Sequence, residues 1–250
     1  MLDRLQEDTT IQHETDSLGG GFGPLDTGLY DMTVNQAYYT NSKGGALALN
    51  LHCSGANNES LKQVLWVTSG TAKGGRNYYM DKNQEKQYLP GFIIANAIAL
   101  LGAKKKIGEL PTESKTIMLY NSDPTIKKEV PTAVDMVVGL LGKTVTMGVM
   151  RQTIDKTKLN DATGQYDATG ETRDENEIVK VFRASDGKTV AEIIAKSDTA
   201  EFKQKWHDKW AGVTKNKSAG TGAKAGMPGM SAGAMAAQTG TAAPAESLFG

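Results

Sequence analysis

Hydrophobic and polar positions alternate with a period of two from residue 28 to residue 53. Tyr30, Met32, Val34, Gln36 and Tyr38 fall on one side of an extended chain, and Leu29, Asp31, Thr33, Asn35, Ala37 and Tyr39 on the other. The pattern predicts a strand with one more apolar face. Lys43-Gly44-Gly45 supplies the positive φ angles of a hairpin turn. In the next strand Leu47, Leu49, Leu51 and Cys53 face one way and Ala48, Asn50 and His52 the other. So strict an alternation predicts core on one side and solvent or ligand on the other. After a turn at Gly55-Ala56-Asn57-Asn58, a third strand is expected over Val64–Thr68, with Trp66 opposed to Leu65 and Val67. Periodicity leaves open which of those two faces is inside.

The period then changes. Residues 90–101 are apolar nearly all round, with Pro90 suited to the first turn of a helix and Gly102 to its exit. Such a helix is buried, most simply as a plug at one end of a small β-barrel. Before it, residues 69–89 are rich in Gly, Lys and Tyr and predict a long loop or an irregular hairpin around Asp81-Lys82-Asn83. Residues 107–142 predict a short strand at Ile117–Tyr120 and a short helix over Thr132–Leu141. Alternation resumes from Thr144 to Arg151 as a strand. Residues 155–175 are polar and predict a loop, and Ile178–Phe182 a last strand before a turn at Ser185-Asp186-Gly187. Thr189 and Glu192 fit a capping box that opens a helix through Lys196, and Asp198 and Glu201 repeat the arrangement for a helix ending near Trp210. Phe202, Trp206 and Trp210 share a face of that second helix, which is expected to pack on the barrel. Residues 1–27 predict a flexible acidic arm. Residues 212–250, rich in Gly, Ala and Met, predict a disordered tail. The tail closes on Leu248 and Phe249, either an accident of sequence or a short docking motif.

Charge sharpens this picture by its distribution. The chain balances 28 basic against 28 acidic side chains. Residues 1–27 hold six acids and one cation, whereas residues 39–106 hold nine cations and three acids. The positive excess therefore lies on the barrel-like segment, where it can attract a polyanion locally. One cysteine, Cys53, excludes an intramolecular disulfide and suits a reducing cytosol. The longest apolar run is too short to span a bilayer, so no membrane association is expected.

Enzyme signatures are poor. The three histidines, His13, His52 and His207, show no metal-ligand spacing, and Cys53 points away from His52. No metal, no cofactor and no catalytic residue is expected. Gly70-Thr71-Ala72-Lys73-Gly74-Gly75 lacks the spacing of a P-loop, yet a Gly-Lys-Gly-Gly-Arg loop can contact backbone phosphates. What remains is a concentration of rings among cations: Tyr38, Tyr39, Trp66, Tyr78, Tyr79 and Tyr88 with Lys43, Lys62, Lys73, Arg76, Lys82 and Lys86. Binding of single strands needs ring faces for the bases and cations along the backbone, each stacked base contributing ~1–3 kcal/mol. The candidate single-stranded DNA site is therefore Tyr38, Tyr39, Lys43, Trp66, Lys73, Arg76, Tyr78, Tyr79, Lys82, Lys86 and Tyr88. For any one ring, packing remains open beside stacking.

Gly28-Leu-Tyr-Asp-Met-Thr-Val, Ser42-Lys-Gly-Gly-Ala-Leu-Ala-Leu-Asn-Leu, Asn77-Tyr-Tyr, Leu89-Pro-Gly-Phe, the apolar helix and Leu101-Gly102 follow one another in an order that resembles bacteriophage single-stranded DNA-binding proteins. The likeness covers residues 28–184. It implies an α+β, mainly β chain built on an OB-fold-like five-stranded barrel, with strands near 28–39, 45–53, 62–69, 143–152 and 176–184. It also implies an insertion near 103–142; the helices read from the capping boxes, near 190–211, complete an expected domain of 28–211. The function implied is to coat and protect single-stranded DNA in phage replication or recombination, in the cytoplasm of the infected bacterial host. Homo-oligomerisation, and recruitment of phage replication or recombination proteins through Leu248 and Phe249, are further expectations. The tail departs from the acidic ending of such proteins: its single acid is Glu246. The alternative expectation is a phage virion or assembly protein whose β-domain makes protein–protein contacts.

Overall fold

A computed structural model describes residues 23–121, 125–160 and 165–218. The acidic arm before residue 23 and the tail with Leu248 and Phe249 lie outside the described residues. The chain is mainly β. Strands β1 (Gly28–Asn41), β2 (Leu47–Ser54) and β3 (Ser60–Trp66) form an antiparallel meander. A small hairpin, β4 (Tyr78–Met80) with β5 (Lys86–Tyr88), precedes helix α1 (Pro90–Ile98), which runs on as a π-turn over Ala99–Ala103. A second hairpin, β6 (Glu113–Asn121) with β7 (Lys128–Met136), is followed by the long strands β8 (Thr144–Asn160) and β9 (Gln165–Arg183). Helices α2 (Val190–Ile194) and α3 (Glu201–Trp210) and a short strand β10 (Thr214–Asn216) complete the described chain.

Among the described residues eight strands form one sheet, in the order β10-β8-β1-β2-β3, with β9 on β8 and the β6–β7 hairpin on β1. All of its pairings are antiparallel except β10 on β8. The expected five-stranded barrel is not closed. β3 ends the order, and β3 and β9 share no ladder. Gln63 of β3 instead reaches across with its carboxamide oxygen to accept the Ile178 amide at 3.1 Å.

β1 serves two halves of the sheet because it bends. Asn35 is an extra residue in the β1–β2 ladder, between Val34↔Cys53 and Gln36↔His52. Residues 28–33 pair with β8, and the remainder with β2 and, at Tyr38 and Tyr39, with β7. A bulge of one residue also exchanges the faces. Met32 and Val34 are buried in the core before it, and Ala37 after it, with Tyr39 packed against that core. Tyr38 therefore leaves the face of Met32 and Val34, against the continuous alternation expected. In β2 the expected alternation is observed, with Leu49, Leu51 and Cys53 in the core. β3 resolves the open choice: Leu65 and Val67 point inward and Trp66 outward.

Helix α1 lies over the inner face against β3 and β9 and buries Ile94, Ala95 and Ile98. Gly91 allows this approach, since a Cβ there would meet the Trp66 backbone nitrogen at 2.7 Å. The chain leaves the π-turn through Lys104, in the left-handed region at φ 56°, two residues beyond the expected exit at Gly102.

Three local expectations are corrected. Thr132–Leu141 is strand to Met136 and then a 3₁₀ turn at Val138–Leu140, because Val134 and Met136 alternate inward against Tyr38. Residues 155–175 are no loop but, where described, the outer part of a β8–β9 ribbon. That ribbon is held by its ladder and by cross-strand pairs such as Lys156–Glu171 at 2.9 Å. Asp198 does not cap α3. The N-cap position is Ala200, and Glu192 accepts the Phe202 amide at 2.9 Å. The first capping box, Thr189 with Glu192, is present as read. Two residues of the aromatic stripe pack as read, Trp206 buried over Gly148 and Phe202 6.4 Å from Phe182.

Candidate nucleic-acid interface

The outer face of the sheet divides into two halves. Under α3 lie Gly148, Thr146 and Phe182. Beyond the bulge the same face continues over β1, β2 and β3 and carries no helix. Its ladder rows are Gln36–His52–Lys62, Tyr38–Asn50–Val64 and Thr40–Ala48–Trp66. Tyr38 is 5% exposed, wedged against Val134 and Met136 of the β6–β7 hairpin. Its ring meets His52 edge-on at 6.0 Å and 70°. Burial raises the Tyr38 hydroxyl above its ordinary pKa and does the same to Tyr39. His52 is held below the ordinary imidazole value, by burial first and by Lys62 second. Asn50 anchors the row with a 2.8 Å bond from its amide to the Thr40 hydroxyl. Val64 is exposed, and Trp66 is half-buried, its indole N–H enclosed without a hydrogen-bond partner.

The cations gather at the end of the sheet where β1 stops. Ser42 to Gly45 form a turn closed by the Gly45 amide on the Ser42 carbonyl at 2.9 Å, which leaves Lys43 exposed. The Gly70–Gly75 loop docks on this turn, with the Thr71 amide donating to the Gly44 carbonyl at 2.8 Å. The approach requires Gly70, whose Cβ would lie 2.8 Å from that carbonyl oxygen. The loop is closed by the Ser69 amide on the Arg76 carbonyl at 2.7 Å. Lys43, Lys73 and Arg76 are thereby held on interlocked loops at one end of the open face.

The β4–β5 hairpin follows directly. Its turn is made by Asp81, whose carboxylate accepts the amides of Asn83 and Glu85 at 2.8 and 2.9 Å. Those backbone bonds, the Glu85 amide first, depress the Asp81 pKa. Tyr78 pairs with Tyr88 and Met80 with Lys86, so these four side chains share a face, while Tyr79 and Gln87 lie on the other. Lys86 stands 5.0 Å and Arg76 5.6 Å from the Tyr78 ring centre. Tyr88 is 57% exposed and leans on Phe92 at 4.9 Å.

The structure thus brings Arg76, Tyr78, Lys86 and Tyr88 together and sets Lys43 and Lys73 on adjoining loops. Tyr79 is 50% exposed but faces the other way, and Lys82 is exposed at the hairpin tip. Tyr38 and Tyr39 lie on opposite faces and neither offers an open ring. His52, which the sequence offers only as a metal-ligand candidate, and Lys62, counted among the cations but not in the candidate site, share the outer row Gln36–His52–Lys62. Polar alternation with Asn50 was the available signal for His52.

Among the described residues no group of three or more His, Cys, Asp or Glu side chains is placed to hold a metal ion. No helix there is long and apolar enough to cross a membrane. Cys53 is buried and its thiol is pushed up to about 12 by that burial. No protein family matches the chain, and no curated protein matches it.

Proposed function

We propose that the protein binds single-stranded DNA along the open half of the sheet and coats it during phage DNA replication or recombination in the host cytoplasm. The observation that carries this reading is the division of the outer face. One half is roofed by α3. The other carries no helix over β1, β2 and β3, with only Tyr38 covered by the β6–β7 hairpin, and ends at loops bearing Lys43, Lys73 and Arg76, next to the hairpin of Tyr78, Lys86 and Tyr88. A flexible polyanion with stacking bases matches such a surface: the cations follow the backbone and the rings receive the bases. The β1–β2–β3 meander, the helix after β3, and a first strand shared between β2 and β8 support an OB-fold-like reading of the open sheet and, with it, the same function. Binding needs no cofactor and involves no catalysis.

The test is a fluorescence-anisotropy titration of labelled oligo(dT) of about thirty nucleotides, longer than the ~4–16 that one OB-fold occupies, at two salt concentrations and against duplex. The expected result is binding to the single strand alone, weakening steeply with salt. A second reading, a virion or assembly protein, is favoured by one observation. Met118 and Tyr120 stand 54% and 64% exposed on one face of the β6–β7 hairpin, an apolar strip suited to protein contact. No binding at low salt with stable oligomers in solution is the outcome that favours it.

A further inference from the structure

His52 lies at the floor of the open half-sheet, in the second of its three strands. From β3 the charged group facing it is Lys62, its direct ladder partner. From β1 it faces Gln36, its direct ladder partner, and, one row along, meets the Tyr38 ring edge-on, neither charged near neutral pH. In the free protein both neighbourhoods disfavour a second proton on the imidazole: burial removes water and Lys62 repels the charge. A phosphodiester laid across this row reverses the balance. It neutralises Lys62 and places a negative charge over the ring, so the imidazolium becomes the favoured form.

We propose that His52 is a proton-linked contact of the single-strand site, taking up a proton from the solvent when a phosphodiester binds beside Lys62. This rests on the single-strand reading above and adds a regulatory property to it: affinity rises as the solution is acidified. The sign follows from linkage. If the complex holds the proton more tightly than the free protein, affinity is greatest below the free value of His52 and falls to its alkaline limit above the value in the complex. A rise of one unit on binding corresponds to about a tenfold ratio between those limits. Phosphodiesters do not titrate in this range, and most carboxylates have finished titrating above pH 5.

Oligo(dT) titrations at pH 5.5, 6.5 and 7.5, at constant ionic strength, read this directly. The full chain is expected to bind several-fold more tightly at pH 5.5 than at pH 7.5. His52→Gln is expected to flatten that ratio, and His207→Gln, on α3 and away from the face, to leave it standing. Calorimetry of the unaltered protein in buffers of different ionisation enthalpy is expected to show net proton uptake at pH 6.5, a readout independent of whether any variant folds. Binding at every pH with no gradient and no uptake overturns the His52 inference and leaves the single-strand reading in place. A gradient that survives in His52→Gln also overturns it. Absence of binding at every pH removes both.

Discussion

Tyrosines have two different roles here, and backbone register decides which. Tyr38 and Tyr39 are packing residues, Tyr38 against Val134 and Met136 and Tyr39 against the main core. Tyr78 and Tyr88 stand on one face of a hairpin, with cations over the Tyr78 ring. Truncation should separate the two classes. Tyr38→Ala removes a buried ring and is expected to cost about 3–5 kcal/mol in urea denaturation, as large-to-small core changes do. The double change Tyr78→Ala with Tyr88→Ala is expected to leave the denaturation midpoint nearly unmoved and to weaken oligo(dT) binding at least tenfold, since each stacked base contributes ~1–3 kcal/mol. These roles were only half legible from sequence. The Tyr-and-cation concentration was visible, but one inserted residue at Asn35 moves every later side chain of β1 to the opposite face. A bulge of that kind leaves no mark on an alternation that is already mixed. The faces of β2, where Leu49, Leu51 and Cys53 alternate with Asn50 and His52 without interruption, were read correctly.

At the scale of elements, legibility follows burial on one side. The α1 helix and strand β2 each bury a distinct face and leave a period in the sequence. The outer β8–β9 ribbon does not. Both of its faces meet solvent, so nothing selects apolar residues on either, and its stability comes from the ladder and polar cross-strand pairs. The junction of α2 and α3 shows how a small polar group organises two elements. The Glu192 carboxylate accepts the amides of Thr189 at 2.8 Å and Phe202 at 2.9 Å, serving both helix starts. Burial pushes its pKa up, but these hydrogen bonds prevail and hold it below the ordinary glutamate value. A folded value below the unfolded one contributes stability above the unfolded pKa of ~4.3 and loses it as pH falls through the folded value. Glu192→Ala is therefore expected to destabilise by about 2–6 kcal/mol at pH 7, ~1–3 for each of two unsatisfied amides. The gap to the unaltered protein should narrow in urea melts below about pH 4. A gap independent of pH contradicts the carboxylate's role.

For the whole molecule, the sheet's asymmetry links fold to function. Helix α3 roofs the β8–β9 half of the outer face and leaves the β1–β2–β3 half without a helix, with Lys43, Lys73 and Arg76 on two interlocked loops at its rim. Overall charge is zero, so attraction of a polyanion must be local to this rim rather than a property of the surface at large. In the proposed complex the strand lies on this half of the molecule. Lysine acylation read by mass spectrometry, with and without saturating oligo(dT), tests that most directly. Lys43, Lys62, Lys73 and Lys86 are expected to be protected, while Lys205 and Lys209, exposed on α3, react equally in both samples. Protection of Lys205 and Lys209 with the first four unchanged, or no protection under saturating conditions, contradicts the account.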